Sequence, residues 1–180
     1  MTGDSLRGRL VVATPALGDP NFSHTVVFLL DASEHGALGI VLNRPSVIDI
    51  ADTLPTWEAL AAHPRVMFAG GPVQPEAVVG LCRADSETEA IQTVAPGIGI
   101  VDLRADPLTL IGEAKGVRLF AGYAGWGDGQ LESEIEQGGW FVLAPTPDDV
   151  FAEDPEQLWV RVLERQGGVF STISEDPSLN

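Results

Sequence analysis

The stretch from Arg118 to Trp140, RLFAGYAGWGDGQLESEIEQGGW, constrains the fold more than any other part of this chain. Gly122, Gly125, Gly127 and Gly129 space out as G-x-x-G-x-G-x-G between an apolar run and a short amphipathic helix. Glycine admits positive φ and lets another backbone come close, so the chain must turn here or be closely approached. The spacing is neither a Walker loop nor a G-x-G-x-x-G fingerprint. Amides at a helix start can hold an anion, but Asp128 would compete for them. The stretch therefore reads as a structural turn ahead of a phosphate cradle. Tyr123 and Trp126 either offer an aromatic platform to a ligand or pack in the core with a partner for each polar hydrogen. For Trp126, in an expected loop, the sequence leaves both open.

Taken in order, Leu10 to Ala13 reads as a first strand, followed by a turn-rich segment at Gly18, Asp19, Pro20 and Asn21. Thr25 to Leu30, TVVFLL, is β-branched and continuously apolar, as a strand buried on both faces should be. Ala37 to Leu42 returns as the second arm of a hairpin, and Asn43-Arg44-Pro45 stops it. Trp57, Leu60 and Ala61 fit one face of a short helix capped by Thr56 and ended by His63-Pro64. Strands are expected at Val66 to Ala69 and Ala77 to Cys82, with two more around Ala90 to Val94 and Ile98 to Leu103. Asp106-Pro107 opens a helix with Leu108 and Ile111 on one face and Gly116 as its stop. Val117 to Ala121 feeds the glycine stretch. A helix begins near Asp128, with Leu131 and Ile135 four apart and Glu132 and Glu136 as a polar row. Trp140 to Leu143 is a last strand. Thr146-Pro147 starts one closing helix, and Asp154 to Gln157 has capping-box spacing for another that ends at Gly167-Gly168. Irregularly interspersed helices argue for α+β with a mixed or mainly antiparallel sheet. A chain of 180 residues fits a single domain, with the core at about 8–165 and a polar tail from Ser174 to Asn180.

Charge excludes more than it proposes. There are 26 acidic against 10 basic residues, a net charge of -16. The nine arginines are scattered and Lys115 is the sole lysine, so direct nucleic-acid binding is disfavoured unless the fold assembles a local basic patch. The same charge repels anionic membranes. One cysteine, Cys82, and a polar Met1 to Gly8 fit a cytoplasmic protein. Cys82 lies in an apolar run and reads as a buried thiol. His24, His35 and His63 lack metal-ligand spacing, and no cofactor is expected. Ser23 and His24, with one of Asp19 or Asp31, invite a hydrolase reading, but there is no G-x-S-x-G elbow and strand neighbours point in opposite directions unless the chain bends. Arg44 is placed to meet an acidic ligand group, or a carboxylate such as Asp31 or Asp49.

Four segments carry a family likeness: GRLVVATPALGDPNF (Gly8 to Phe22), GALGIVLNRP (Gly36 to Pro45), GGPV (Gly70 to Val73) and AGWGDGQLESEI (Ala124 to Ile135). Their order and spacing closely resemble the YqgE/AlgH family of bacterial proteins, from about Gly8 to Leu163. The resemblance implies a bifurcated sheet curled into a pseudo-barrel with flanking helices. It supplies no catalytic residues and no cofactor. The AlgH branch is named as a transcriptional regulator of exopolysaccharide genes. Asp128 stands where relatives often have proline, and Cys82 where many carry histidine. Ligand-binding candidates in the first two segments are Pro20, Phe22, Asn43 and Arg44. The other two add Gly70, Gly71, Trp126, Gln130 and Glu132. The expectation is a non-enzymatic regulatory or ligand-binding protein, a monomer or weak homo-oligomer, that engages a protein partner or small ligand and regulates without direct DNA contact. The alternative is a hydrolase using Ser23 or Glu132.

Overall fold

The computed structural model describes residues 6–166, an α+β arrangement in which ten strands form one curled, mostly antiparallel half-barrel sheet. Leu10–Ala13 (β1) lies between Trp140–Leu143 (β10) and Val26–Ser33 (β2), and β2 turns back into Gly36–Val41 (β3). Val73–Arg83 (β6), Ile91–Ala95 (β7) and Ile98–Val101 (β8) build the other wing. The long strand Val117–Trp126 (β9) joins the wings and pairs with β6 along one edge.

The other edge of β9 is where the sheet forks. Ala124 to Trp126 pair antiparallel with β3, whereas Phe120 and Ala121 pair in parallel with Val66–Ala69 (β5), which in turn pairs with Pro45–Asp49 (β4). Gly70 crosses the gap: its N–H donates to Ala121 O and its O accepts from Val41 N, each at 2.8 Å. Gly122 sits at the fork with φ +77. A Cβ there would lie 2.4 Å from Gly71 O. The side-chain alternation slips at this glycine. Phe120 and Tyr123, three apart, both pack on one core, while Ala124 and Trp126 face another.

Three apolar clusters fill the two faces. The largest, with Phe28, Phe68 and Phe120, is closed by the C-terminal helix Leu158–Gln166 (α4) through Trp159, Val162 and Leu163. Val11, Val27 and Val41 face away from it and pack under the helix Gln130–Glu136 (α2) with Trp126 and Trp140. The far wing is covered by Ile50, Trp57 and Leu110. Arg118 is buried at 2% exposure and pairs with no carboxylate among the described residues. Its guanidinium donates to Val150 O, Ala152 O and His63 O and lies 4.4 Å from the Phe68 ring centroid. Burial, with Arg83 nearby, lowers its pKa to about 10.

Several local expectations change. The glycine stretch is strand as far as Trp126, leaving only Gly127, Asp128 and Gly129 as the turn into α2. Partners on both edges override glycine's poor strand propensity. Asn43-Arg44-Pro45 ends β3 but opens β4, where Pro45 sits at the first position that needs no N–H donor. Thr56 caps nothing. A one-turn helix Ile50–Thr53 (α1) precedes a 3-10 turn Pro55–Leu60 that buries Trp57. Asp106 does cap, accepting from Leu108 N at 3.0 Å, but over a 3-10 turn, Pro107–Leu110. Leu110, rather than Leu108 and Ile111, points inward. Pro147–Val150 (α3) has the expected start, with Thr146 N donating to Asp149 at 2.7 Å. Asp154 makes no side-chain cap and instead pairs with Arg161 at 2.7 Å. The Gly167-Gly168 stop and the polar tail lie outside the described residues.

Candidate functional site

The segment between β1 and β2 is the part that the candidate residues hold in common. It has no regular structure, so its path depends on what grips it. Asn43, just past β3, grips its end: Nδ2 donates to His24 O at 2.9 Å and Oδ1 accepts from Val26 N at 3.0 Å. The amide thus takes the place of one more rung of sheet. Arg44 grips its middle, donating from Nη1 to Asn21 O and from Nη2 to Ser23 O at 3.3 Å. It is bonded to neither Asp31 nor Asp49 among the described ion pairs. Partial burial lowers its pKa. Phe22 anchors the segment, stacked on Trp126 at 6.0 Å and edge-on to Trp140 at 5.7 Å.

Trp126 is buried, 7% exposed, because its ring is a floor for Phe22 and its indole has an internal acceptor. Nε1 of Trp126 and Nε1 of Trp140 both donate to Glu134 Oε1, at 3.2 and 2.9 Å. Gln130 Nε2 donates to Glu134 Oε2 at 3.0 Å, and Gln130 Oε1 accepts from Gly127 N at 3.0 Å. For Trp126, then, the packed arrangement holds in this structure. Tyr123 packs, partly buried, on the large core.

Glu134 was not among the candidates. Glu132, which was, is half-buried on the same helix and takes no part in this network. The signal for Glu134 was its spacing: four residues after Gln130 and three after the buried Leu131, it must share their side of the helix. Pro20 and Gln130 remain exposed. Gly70 and Gly71 meet Gly122 and Tyr123, backbone on backbone, rather than Trp126. Ala69 N donates to Arg44 O at 2.8 Å, so the Asn43-Arg44 corner and the Gly70-Gly71 corner do adjoin.

The Ser23 and His24 side chains do not diverge. His24 has φ +57, the strand begins only at Val26, and the bend brings Ser23 Oγ to 3.1 Å from His24 Nδ1. The His24 ring lies edge-on to Trp159 at 4.7 Å. No group of three His, Cys, Asp or Glu side chains among the described residues is arranged to hold a metal. The cations that gather near the C-terminal helix are each taken by a carboxylate: Arg83 by Asp148, Arg161 by Asp154, Arg165 by Asp149.

The overall fold recurs in known proteins. Residues 10–171 match the model of a family described as AlgH-like. The chain belongs to the AlgH-like family. Among its relatives is a UPF0301 protein of Streptomyces coelicolor, 48% identical over 98% of this chain and 96% of the relative. A UPF0301 protein of Mycobacterium tuberculosis is 41% identical over 94% and 87%. The crystal structure of a Corynebacterium diphtheriae protein superposes with a TM-score of 0.89 at 30% identity, covering 95% of this chain and 92% of that one. The solution structure of AlgH from Pseudomonas aeruginosa gives 0.70 at 29%, covering 92% and 91%. The mostly antiparallel, curled half-barrel sheet of this AlgH-like chain is thus shared with both structures. No helix among its described residues is long and apolar enough to cross a membrane.

Proposed function

We propose that this protein is a non-enzymatic binding protein that regulates through contact with another protein or a small ligand, and that the Asp19 to His24 loop is its recognition element. One observation carries the reading: an exposed loop without secondary structure is fixed at its end by Asn43, at its middle by Arg44 and at its base by Phe22 on Trp126. Fixing a loop before it meets its partner removes ordering cost from the binding step. Pro20 on the loop and Gln130 on α2 supply exposed groups for contact, with the half-buried Glu132 on the same helix. The Asn43-Arg44 and Gly70-Gly71 corners act as the rigid mount. With a net charge of -16, regulation of transcription proceeds without this chain touching DNA.

A photo-crosslinker at position 20, activated in cells, tests this. Discrete adducts that vanish in an Arg44→Ala background support it. A lack of adducts, together with a metabolite screen that shifts no amide in residues 19–24, counts against it. A mobility-shift assay at physiological salt should show no bound DNA.

A second reading has its own observation, the 3.1 Å contact between Ser23 Oγ and Nδ1 of His24, itself a left-handed residue. A hydrolase built on it would use Ser23 as nucleophile and His24 as base. Labelling by a fluorophosphonate probe that Ser23→Ala abolishes would favour it, and an unlabelled native protein would dispose of it.

A further inference from the structure

The 3-10 turn Pro107–Leu110 presents apolar side chains to solvent. Leu108 is 75% and Ile111 67% exposed, while Leu110 between them is buried at 3% and fixes the turn to the core. Ile111 caps the turn three residues after Leu108, the spacing at which 3-10 positions eclipse, so the two exposed side chains form one ridge. The turn is held from both ends. Asp106 Oδ1 accepts from Leu108 N at 3.0 Å, and Ala114 N donates to Leu110 O at 2.9 Å. The ridge is thus a fixed feature, not a frayed end.

Beside it runs a groove of about 460 Å³ lined by Glu89, Asp106, Thr109 and Glu113. These three carboxylates enter no ion pair among the described residues. The nearby cations are already engaged, Arg104 with Asp102 at 3.0 Å and Lys115 with Asp85 at 2.7 Å. An apolar ridge next to unneutralised carboxylates is complementary to one kind of surface. We infer that it docks an amphipathic, lysine- or arginine-bearing segment of another protein, whose apolar side chains cover Leu108 and Ile111 while its cations enter the groove. A second copy of this chain is the wrong occupant, because a two-fold contact would bring the same carboxylates together.

The inference rests on the protein-contact reading above but uses none of the loop's residues, so each can fail separately. The probe is a fluorescent Leu/Lys amphipathic helix of about fourteen residues, long enough to fold on contact, measured by anisotropy against its Leu/Glu counterpart. The Leu/Lys peptide should bind at about 10 µM or tighter at physiological salt, with amide shifts centred on residues 88–114. Leu108→Ser/Ile111→Ser should weaken it by about tenfold or more. Glu89→Gln/Glu113→Gln should weaken it and flatten its salt dependence. Both pairs are exposed, so the variants should fold. Undiminished binding to the serine variant, shifts spread over the acidic surface, equal binding of the Leu/Glu peptide or no binding would overturn the inference. So would a dimer that Ile111→Ser dissolves.

Discussion

Trp126 and Trp140 share one acceptor: both indole N–H groups donate to Oε1 of Glu134, and the two rings meet edge to face at 5.8 Å. One carboxylate on α2 thereby ties the end of β9 to the start of β10, under the ring that carries Phe22. Glu134→Ala removes a charged acceptor from two enclosed donors. It should cost about 1.5–3 kcal/mol, the range for hydrogen bonds to ionised groups. Glu134→Gln keeps an oxygen and should cost less than half as much. Urea unfolding followed by tryptophan fluorescence checks both, and an alanine variant as stable as the parent would show the pair of bonds to be incidental.

The glycines of the central stretch separate into two kinds. At Gly122 a Cβ would meet Gly71 O at 2.4 Å, backbone that cannot move without unpicking the fork. At Gly129, also at positive φ, nothing lies within 4 Å. Gly129→Ala should therefore cost only the left-handed strain, about 1–2 kcal/mol. Gly122→Ala should cost several times that or leave the protein insoluble. Comparable melting temperatures for the two would mean the close crossing is not essential.

The strands were legible because each is a dense apolar run: β1, β3, β5 and β10 lie within one residue of where the sequence puts them, and β2 starts one residue late and runs three past its expected end at Leu30. The role of Gly122 was not, since a turn and a backbone crossing ask for the same residue. Leu108 and Ile111 were rightly placed on one face. Which way that face points depends on Leu110, and nothing local says that Leu110 is the buried one. In the candidate site, Asn43, Arg44 and Trp126 each contact the segment of residues 21–24 that holds Phe22. Asn43 and Arg44 hold backbone carbonyls of residues 21–24, which carry no side-chain signature, and Trp126 meets the same segment through the Phe22 ring. Arg44 was matched with carboxylates because sequence shows charges, whereas its partners are carbonyl oxygens that every residue has.

Cys82 is fully buried, and its thiol is pushed up from 9.0 to about 11 by loss of hydration. Between these values the unfolded chain has released the proton that the folded chain keeps. Stability attributable to this group is therefore intact below pH 9 and is lost as pH rises toward 11. Cys82→Ala should flatten the decline in unfolding free energy over that window relative to the parent. Native protein should also resist thiol reagents at pH 8 and react once unfolded. Rapid native labelling would contradict the assigned burial.

Arg44 separates loop order from fold stability. Its guanidinium reaches two carbonyls of the same loop, Asn21 O and Ser23 O, through two nitrogens in one plane. A lysine ammonium is a single point donor on a flexible stem and cannot hold both in that geometry. Arg44→Lys should therefore release the middle of the loop while Asn43 still secures its end at His24 O. Amide exchange across residues 19–23 should rise by about tenfold or more, corresponding to about 1.4 kcal/mol of local opening. Exchange in β2 and β3, and the global unfolding midpoint, should stay nearly unchanged. Asn43→Ala should behave differently: it unpairs Val26 N at the start of β2, so the loss should reach the strand and lower the midpoint. If Arg44→Lys left the loop as protected as before, the two guanidinium contacts would not be what orders it, and the recognition element would need another mount.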